Sequence, residues 1–211
     1  MCSCSNSAFA MFSGNDTAEL DPDFRIVIDN RAKEFHRLLP DYHRSTLRPL
    51  QEETSRFGLG QIVLKGGYTH TGFSVIHILG VSWAVYRMIE SYYLSTSTDE
   101  WTIEELAAKA KLRNHVLITA TDGDHGQAMA YMAKQLGIKA EIFVPQKATY
   151  SKGLHDLSKT AVVHIVDGDR HEAMKQALMA YQQQHNRALL LYDPLWKQDN
   201  VLAEVCYRSL L

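Results

Sequence analysis

The sequence predicts an α/β fold, a mainly parallel sheet with flanking helices. Three observations lead there. Short apolar runs alternate with amphipathic helical stretches from Asp99 onward, a glycine-rich turn joins one of these runs to a helix, and the composition is that of an ordinary globular protein.

The chain has 211 residues, 45% of them apolar and 22% charged, which is enough to bury a substantial core as one large domain or two small ones. Lys and Arg number 22 against 24 Asp and Glu, so the formal net charge is −2 and no basic stripe invites nucleic acid. The longest mainly apolar run, Ser74 to Val85, is interrupted by His77 and falls short of the roughly 20 residues that span a bilayer. No membrane contact is expected. Three cysteines, Cys2, Cys4 and Cys206, make no disulfide framework, and no further soft ligands follow the first two at metal-binding spacing. The first 24 residues lack the basic and apolar regions of a secretory signal and read as a flexible, Ser-rich tail. A cytoplasmic, metal-free protein is the expectation.

Arg25 to Leu39 has Ile28, Ala32, Phe35 and Leu39 at helical spacing and ends at Pro40. A short helix after Pro49 leads to the turn and strand Gly58 to Lys65. The glycine-rich loop Gly66 to Gly72 follows, then a long apolar helix, Ser74 to Tyr93, with Ser74 as its cap. Ile103 to Lys111 opens among acids and closes on Lys109 and Lys111, as the helix dipole favours.

The alternation then becomes regular. His115 to Thr119 is a buried strand, and the helix after it carries Met129, Met132, Ala133 and Leu136 on one face before Gly137 stops it. Glu141 to Val144 is a strand ended by Pro145, followed by a short helix, Tyr150 to Ser158. Val162 to Val166 is the next strand. Arg170 to Gln184 is a helix with Met174, Ala177, Leu178 and Tyr181 on one face, and Leu189 to Tyr192 is a last strand. Folds of this kind bind ligands outside the carboxyl ends of their strands, so the loops after Thr119, Val144, Val166 and Tyr192 are the places for chemistry. The most informative is Thr121-Asp-Gly-Asp-His-Gly126, where glycines let backbone N–H groups approach a ligand at a helix N-terminus; a plain tight turn with an Asp cap fits the same residues. His155 and His164 read as structural.

Several ordered segments together carry a family resemblance. Phe35-His-Arg-Leu-Leu-Pro-Asp-Tyr42, Leu47-Arg-Pro-Leu50, Gly58-Leu-Gly-Gln-Ile-Val-Leu-Lys65, the stretch Leu117 to Leu136 and Tyr192-Asp-Pro-Leu-Trp196 are spaced compatibly. The chain resembles the N-terminal part of diaminopropionate ammonia-lyase, within the fold-type-II pyridoxal-phosphate enzymes related to threonine dehydratase and the tryptophan synthase β subunit. The resemblance implies pyridoxal 5′-phosphate as cofactor and β-elimination of ammonia from a small diamino acid as the ancestral chemistry. It implies that Asp122 and Asp193 are the retained acids that move substrate protons. Gly123, Asp124, His125 and Gly126 fall on the cofactor-binding turn.

The same resemblance exposes departures. The cofactor lysine is expected five residues after a loop glycine, here Gly72, and that position is His77. An imidazole has no primary amine with which to form an imine. Asp124 replaces the family asparagine, setting a carboxylate where a cofactor phenolate would lie. The chain stops at Leu211, before the family's phosphate cradle. These departures predict impaired cofactor binding. The implied organisation is a tail (1–24), an incomplete larger-domain segment with the cofactor-lysine-position helix (25–86), a small α/β domain (87–192) and a truncated return to the larger domain (193–211).

Three readings follow. The chain is a divergent, catalytically impaired or repurposed relative of the lyase; or a non-catalytic subunit or binding protein, forming homo- or hetero-oligomers through the incomplete larger domain; or an active lyase that takes a small amino acid and uses His77 or Lys65 in an unorthodox way. A pseudoenzyme of amino-acid metabolism is the first expectation.

Overall fold

The computed structural model describes residues 30–40, 42–44, 46–65, 75–93, 101–148 and 160–191. The expected helix Tyr150 to Ser158, the loop Gly66 to Gly72, the Ser74 cap, His155, Asp193 and the three cysteines lie outside the described residues.

Helix α1 is Asn30–Arg37; its apolar positions Ala32 and Phe35 are buried, as is Leu39 in the turn that follows. Strand β1, Leu47–Pro49, pairs antiparallel with β2, Val63–Lys65, and helix α2, Gln51–Phe57, lies between them in sequence. Gly58 ends α2 with φ +62°, a left-handed conformation that glycine adopts without steric cost. Helix α3 is Val75–Ser91 and α4 is Ile103–Leu112. Thr102 caps α4: its Oγ1 accepts from the Glu105 N–H at 3.3 Å, while the Glu105 carboxylate accepts from the Thr102 N–H at 2.8 Å. This reciprocal cap went unread in the sequence, although Thr and Glu three apart before an apolar run is its signature.

The regular alternation appears as β3 (Val116–Ala120), α5 (Asp124–Leu136), β4 (Lys139–Pro145), β5 (Val162–Val166), α6 (Arg170–Gln184) and β6 (Ala188–Leu190). The four strands form one parallel sheet in the order β5-β4-β3-β6. Two expectations need correction. Pro145 does not stop β4 but is its last residue, opposite Val166; β3 has already ended against Phe143, so there only β5 flanks the proline, which lacks an N–H. The last strand begins at Ala188 rather than Leu189, because β6 is drawn into register with Val116 at the start of β3.

β3 is buried at all five positions because helices cover both faces of the sheet. Its alternation is nevertheless real. Val116, Ile118 and Ala120 pack with Ala173 and Ala177 of α6, while Leu117 packs with α3, α4 and α5 on the other face. The larger of the two cores gathers Phe35, Trp83, Tyr86, Ile89, Leu106, Met129, Met132, Leu136 and Leu189. α6 leaves β5 at one edge, crosses β4 and β3, and delivers the chain to β6 at the other. That crossing places the start of α6 beside the turn that follows β3. Among the described residues no helix is long and apolar enough to cross a membrane.

Candidate functional site

β3 ends at Ala120, and the chain turns through Thr121, Asp122 and Gly123 into α5. Thr121 is fully buried; its N–H donates to the Phe143 carbonyl at 3.0 Å, and its hydroxyl accepts from the Gly123 N–H at 3.2 Å. These bonds fix the turn at the carboxyl end of the sheet, where α/β folds hold ligands. Gly123 is the N-cap of α5 and provides no side-chain cap, and a Cβ built on it would meet nothing within 4 Å. Crowding does not demand the glycine.

Asp122 is half-buried, and its carboxylate faces a residue that sequence reasoning passed over. Arg170 Nη2 donates to Asp122 Oδ2 at 2.5 Å. Arg170 is the first residue of α6, and Asp169 before it caps that helix: its Oδ1 accepts from the backbone N–H groups of His171 at 2.9 Å and Glu172 at 3.1 Å. Those N–H groups, that of Glu172 foremost, hold the Asp169 carboxyl below its ordinary range. The one sequence clue to Arg170 was its place just inside a helix that follows a strand end in a parallel fold.

His77 lies two residues from Leu79 on α3, which packs closely against α5. His125 stands in the first turn of α5 and is buried. Their rings meet edge to face, with centroids 6.5 Å apart and planes at 77°. The His77 Nδ1 is shielded from solvent and has no hydrogen-bond partner among the described residues. Asp124, the first residue of α5, is exposed, and Gly126 is buried where α5 enters the core. The structure thus brings His77 to His125 and Asp122 to Arg170. Asp193 lies outside the described residues. Lys65 ends β2 opposite Leu47, in the separate two-stranded sheet.

His164 is accounted for by packing. Its ring stacks on Phe143 at 4.5 Å, and its Nε2 is 3.4 Å from a Glu141 carboxylate oxygen. Among the described residues no group of three or more His, Cys, Asp or Glu side chains is gathered as a metal site.

A parallel sheet under helices, with a glycine turn and polar side chains at its carboxyl edge, defines an α/β protein of the class that holds ligands at the carboxyl ends of its strands. Residues 40–205 match the family described as pyridoxal-phosphate dependent enzyme, and the chain belongs to that family. It is 29% identical over 166 residues to a diaminopropionate ammonia-lyase of Salmonella typhimurium, covering 77% of this chain and 40% of the relative. It is 26% identical over 180 residues to the diaminopropionate ammonia-lyase of Escherichia coli strain K12, covering 85% and 44%. The chain therefore spans about two fifths of the length of the curated relatives it matches. The crystal structure of the Escherichia coli enzyme in its apo form superposes with a TM-score of 0.67 at 21% identity, covering 88% of this chain and 50% of that one. A holo form of the Escherichia coli enzyme gives 0.66 at 22% identity, covering 88% and 47%. These structures share the fold.

Proposed function

We propose that this protein is a divergent relative of diaminopropionate ammonia-lyase in which the ancestral β-elimination of ammonia from a small diamino acid is impaired or has given way to another use of the same site. One observation carries the reading. The position where the family resemblance expects the cofactor lysine is occupied by His77, whose ring lies against His125 with a shielded, unbonded Nδ1 among the described residues. An imidazole offers no primary amine, so this position cannot hold pyridoxal phosphate as an imine. Asp124 adds a carboxylate to the turn where the family has a neutral amide. The donor set described does not fit the covalently held cofactor, and no catalytic step is assigned to it. Asp122 and Asp193 keep the acids, but Asp122 is engaged by Arg170.

Purified protein mixed with pyridoxal phosphate tests this. Absence of imine absorbance, and of a borohydride-fixed mass adduct at any lysine near the site, is the expected result. A stoichiometric adduct mapped to Lys65, with turnover of a diamino acid, would restore the active-lyase reading and overturn this one.

A second reading, a binding subunit, is favoured by a different observation. The β1-α2-β2 segment exposes Leu47, Phe57, Leu59 and Val63, and α2 has no buried residue. Sedimentation equilibrium showing a homo- or hetero-oligomer that Phe57→Ser weakens would support it, and a concentration-independent monomer would reject it.

A further inference from the structure

α1 is docked on α3 at two places. Toward its start, Arg31 pairs with Glu90 and lies over the rings of Trp83 and Tyr86, 5.7 and 5.8 Å from their centroids. Toward its end, Phe35 packs against the same rings, and His36, 4% exposed, donates from Nε2 to the Leu79 carbonyl at 2.9 Å. A carbonyl can only accept, so the neutral ring carries its proton on Nε2. Ser82 Oγ donates to the same carbonyl at 2.9 Å. Leu79 stands two residues beyond His77 on the helix that bears the candidate site.

We infer that α1 is a proton-released clamp on α3, closed by neutral His36 on the Leu79 carbonyl, and that its release is transmitted along α3 to His77. The transmission rests on His77 being a site residue, as proposed above; the clamp itself does not.

Protonation would place a positive charge on His36 in a setting where no described residue serves it as counter-ion. The described titratable groups on the two helices are Arg31, Lys33, Glu34 and Arg37 on α1, and His77, Tyr86, Arg87 and Glu90 on α3. Glu90 is shared by Arg31 and Arg87, and Glu34 is held by Arg37 at 2.8 Å. Lys33 is exposed, and the buried Tyr86 hydroxyl accepts from the Trp101 N–H. Burial therefore dominates, outweighing the Leu79 carbonyl, and pushes His36 down to about 4. Undocked, the ring returns to an ordinary value of about 6.5. Acid then favours the undocked helix, by about eightfold at pH 5.5 and about 60-fold at pH 4.5 relative to pH 7.

Hydrogen exchange of the full chain, read as protection factors from pH 7.5 to 4.5, tests the clamp. Protection of α1 amides is expected to fall by about 70-fold, through local release and so from a lower starting level than that of the β3 and α5 amides, which open only with the whole fold. His36→Leu and His36→Gln are expected to remove that pH dependence, the glutamine variant while keeping α1 protected at neutral pH. Protection in α1 that is independent of pH, or that falls equally in both variants, overturns the clamp. In the same samples the ring resonances of His77 should shift with the α1 transition in the wild type and not in His36→Gln. A His77 signal that changes identically in the wild type and in His36→Gln overturns the transmission. An imine in the borohydride experiment would defeat the functional reading and leave the exchange result unaffected.

Discussion

Arg170, at the first position of α6, reaches across the carboxyl edge of the sheet and grips Asp122 in the turn after β3, 48 residues earlier in the chain. The contact exists because α6 must cross β4 and β3 to deliver β6 to the far edge. It commits one of the two acids that the family resemblance marks as proton-moving to an ion pair.

Because Asp122 and Arg170 are both substantially open to water, their pairing is expected to stabilise the fold only weakly. A double-mutant cycle of Asp122→Asn and Arg170→Gln, followed by urea denaturation, should give a coupling of no more than about 1 kcal/mol. It should shrink further in 1 M salt, where the Debye length is roughly 3 Å. A coupling of several kcal/mol would mean that the pair is a structural anchor.

Stability is expected to decline as pH falls below about 6.5. His36 is neutral in the fold, with its pKa pushed down to about 4 by burial, whereas the unfolded chain takes up the proton near 6.5. The unfolded state therefore binds more protons between those values; the stabilisation is complete above 6.5 and is lost as pH falls toward 4. His115 acts in the same direction. Burial, helped by the Arg113 charge, lowers its pKa, while its hydrogen bond to the Arg187 carbonyl opposes this. Urea midpoints should show about 2 kcal/mol lost from His36 at pH 5, a loss absent in His36→Leu. A flat profile in the wild type would contradict this assignment.

Leu106 and Leu112 sit on the same helix with opposite fates, the first fully buried and the second 78% exposed. Leu106→Ala is expected to cost about 2–5 kcal/mol through lost burial and the cavity left behind. Leu112→Ala should stay within about 0.5 kcal/mol of the wild type. Equal effects in thermal or urea melts would show that α4 is not packed as described.

Gly137 ends α5 with φ +63°, and a Cβ there would come within 2.7 Å of the Lys111 side chain. The lysine end can swing away, so the backbone conformation sets the cost. Gly137→Ala should destabilise by about 1 kcal/mol. Gly137→Asn, which tolerates the left-handed region better, should recover part of that loss in the same urea assay.

Much of the fold was legible because its elements are short and strongly patterned. Met129, Met132, Ala133 and Leu136 recur at helical spacing, and all four are buried on one face of α5. His115 to Thr119 reads as a buried strand, and the strand observed one residue further on, Val116–Ala120, is buried throughout because both of its faces are covered. Pro145 was misread because a proline within a sheet depends on which neighbours still need its N–H, and the run of residues does not reveal that. At the site, the turn Thr121 to Gly126 and the histidine at position 77 were visible. What they touch was not.

The sequence by itself determined the alternation of elements, the glycine turn at the end of the first parallel strand and the absence of an amine at position 77. These are properties of local spacing and side-chain chemistry, which no packing arrangement alters. Only the tertiary structure decided that the strands lie in the order β5-β4-β3-β6, that Arg170 meets Asp122, that His77 faces His125 and that His36 closes on Leu79. Each of those depends on where a helix crosses or docks. That is set by burying apolar faces against one another across dozens of residues, so the polar contacts that result leave no mark in local sequence.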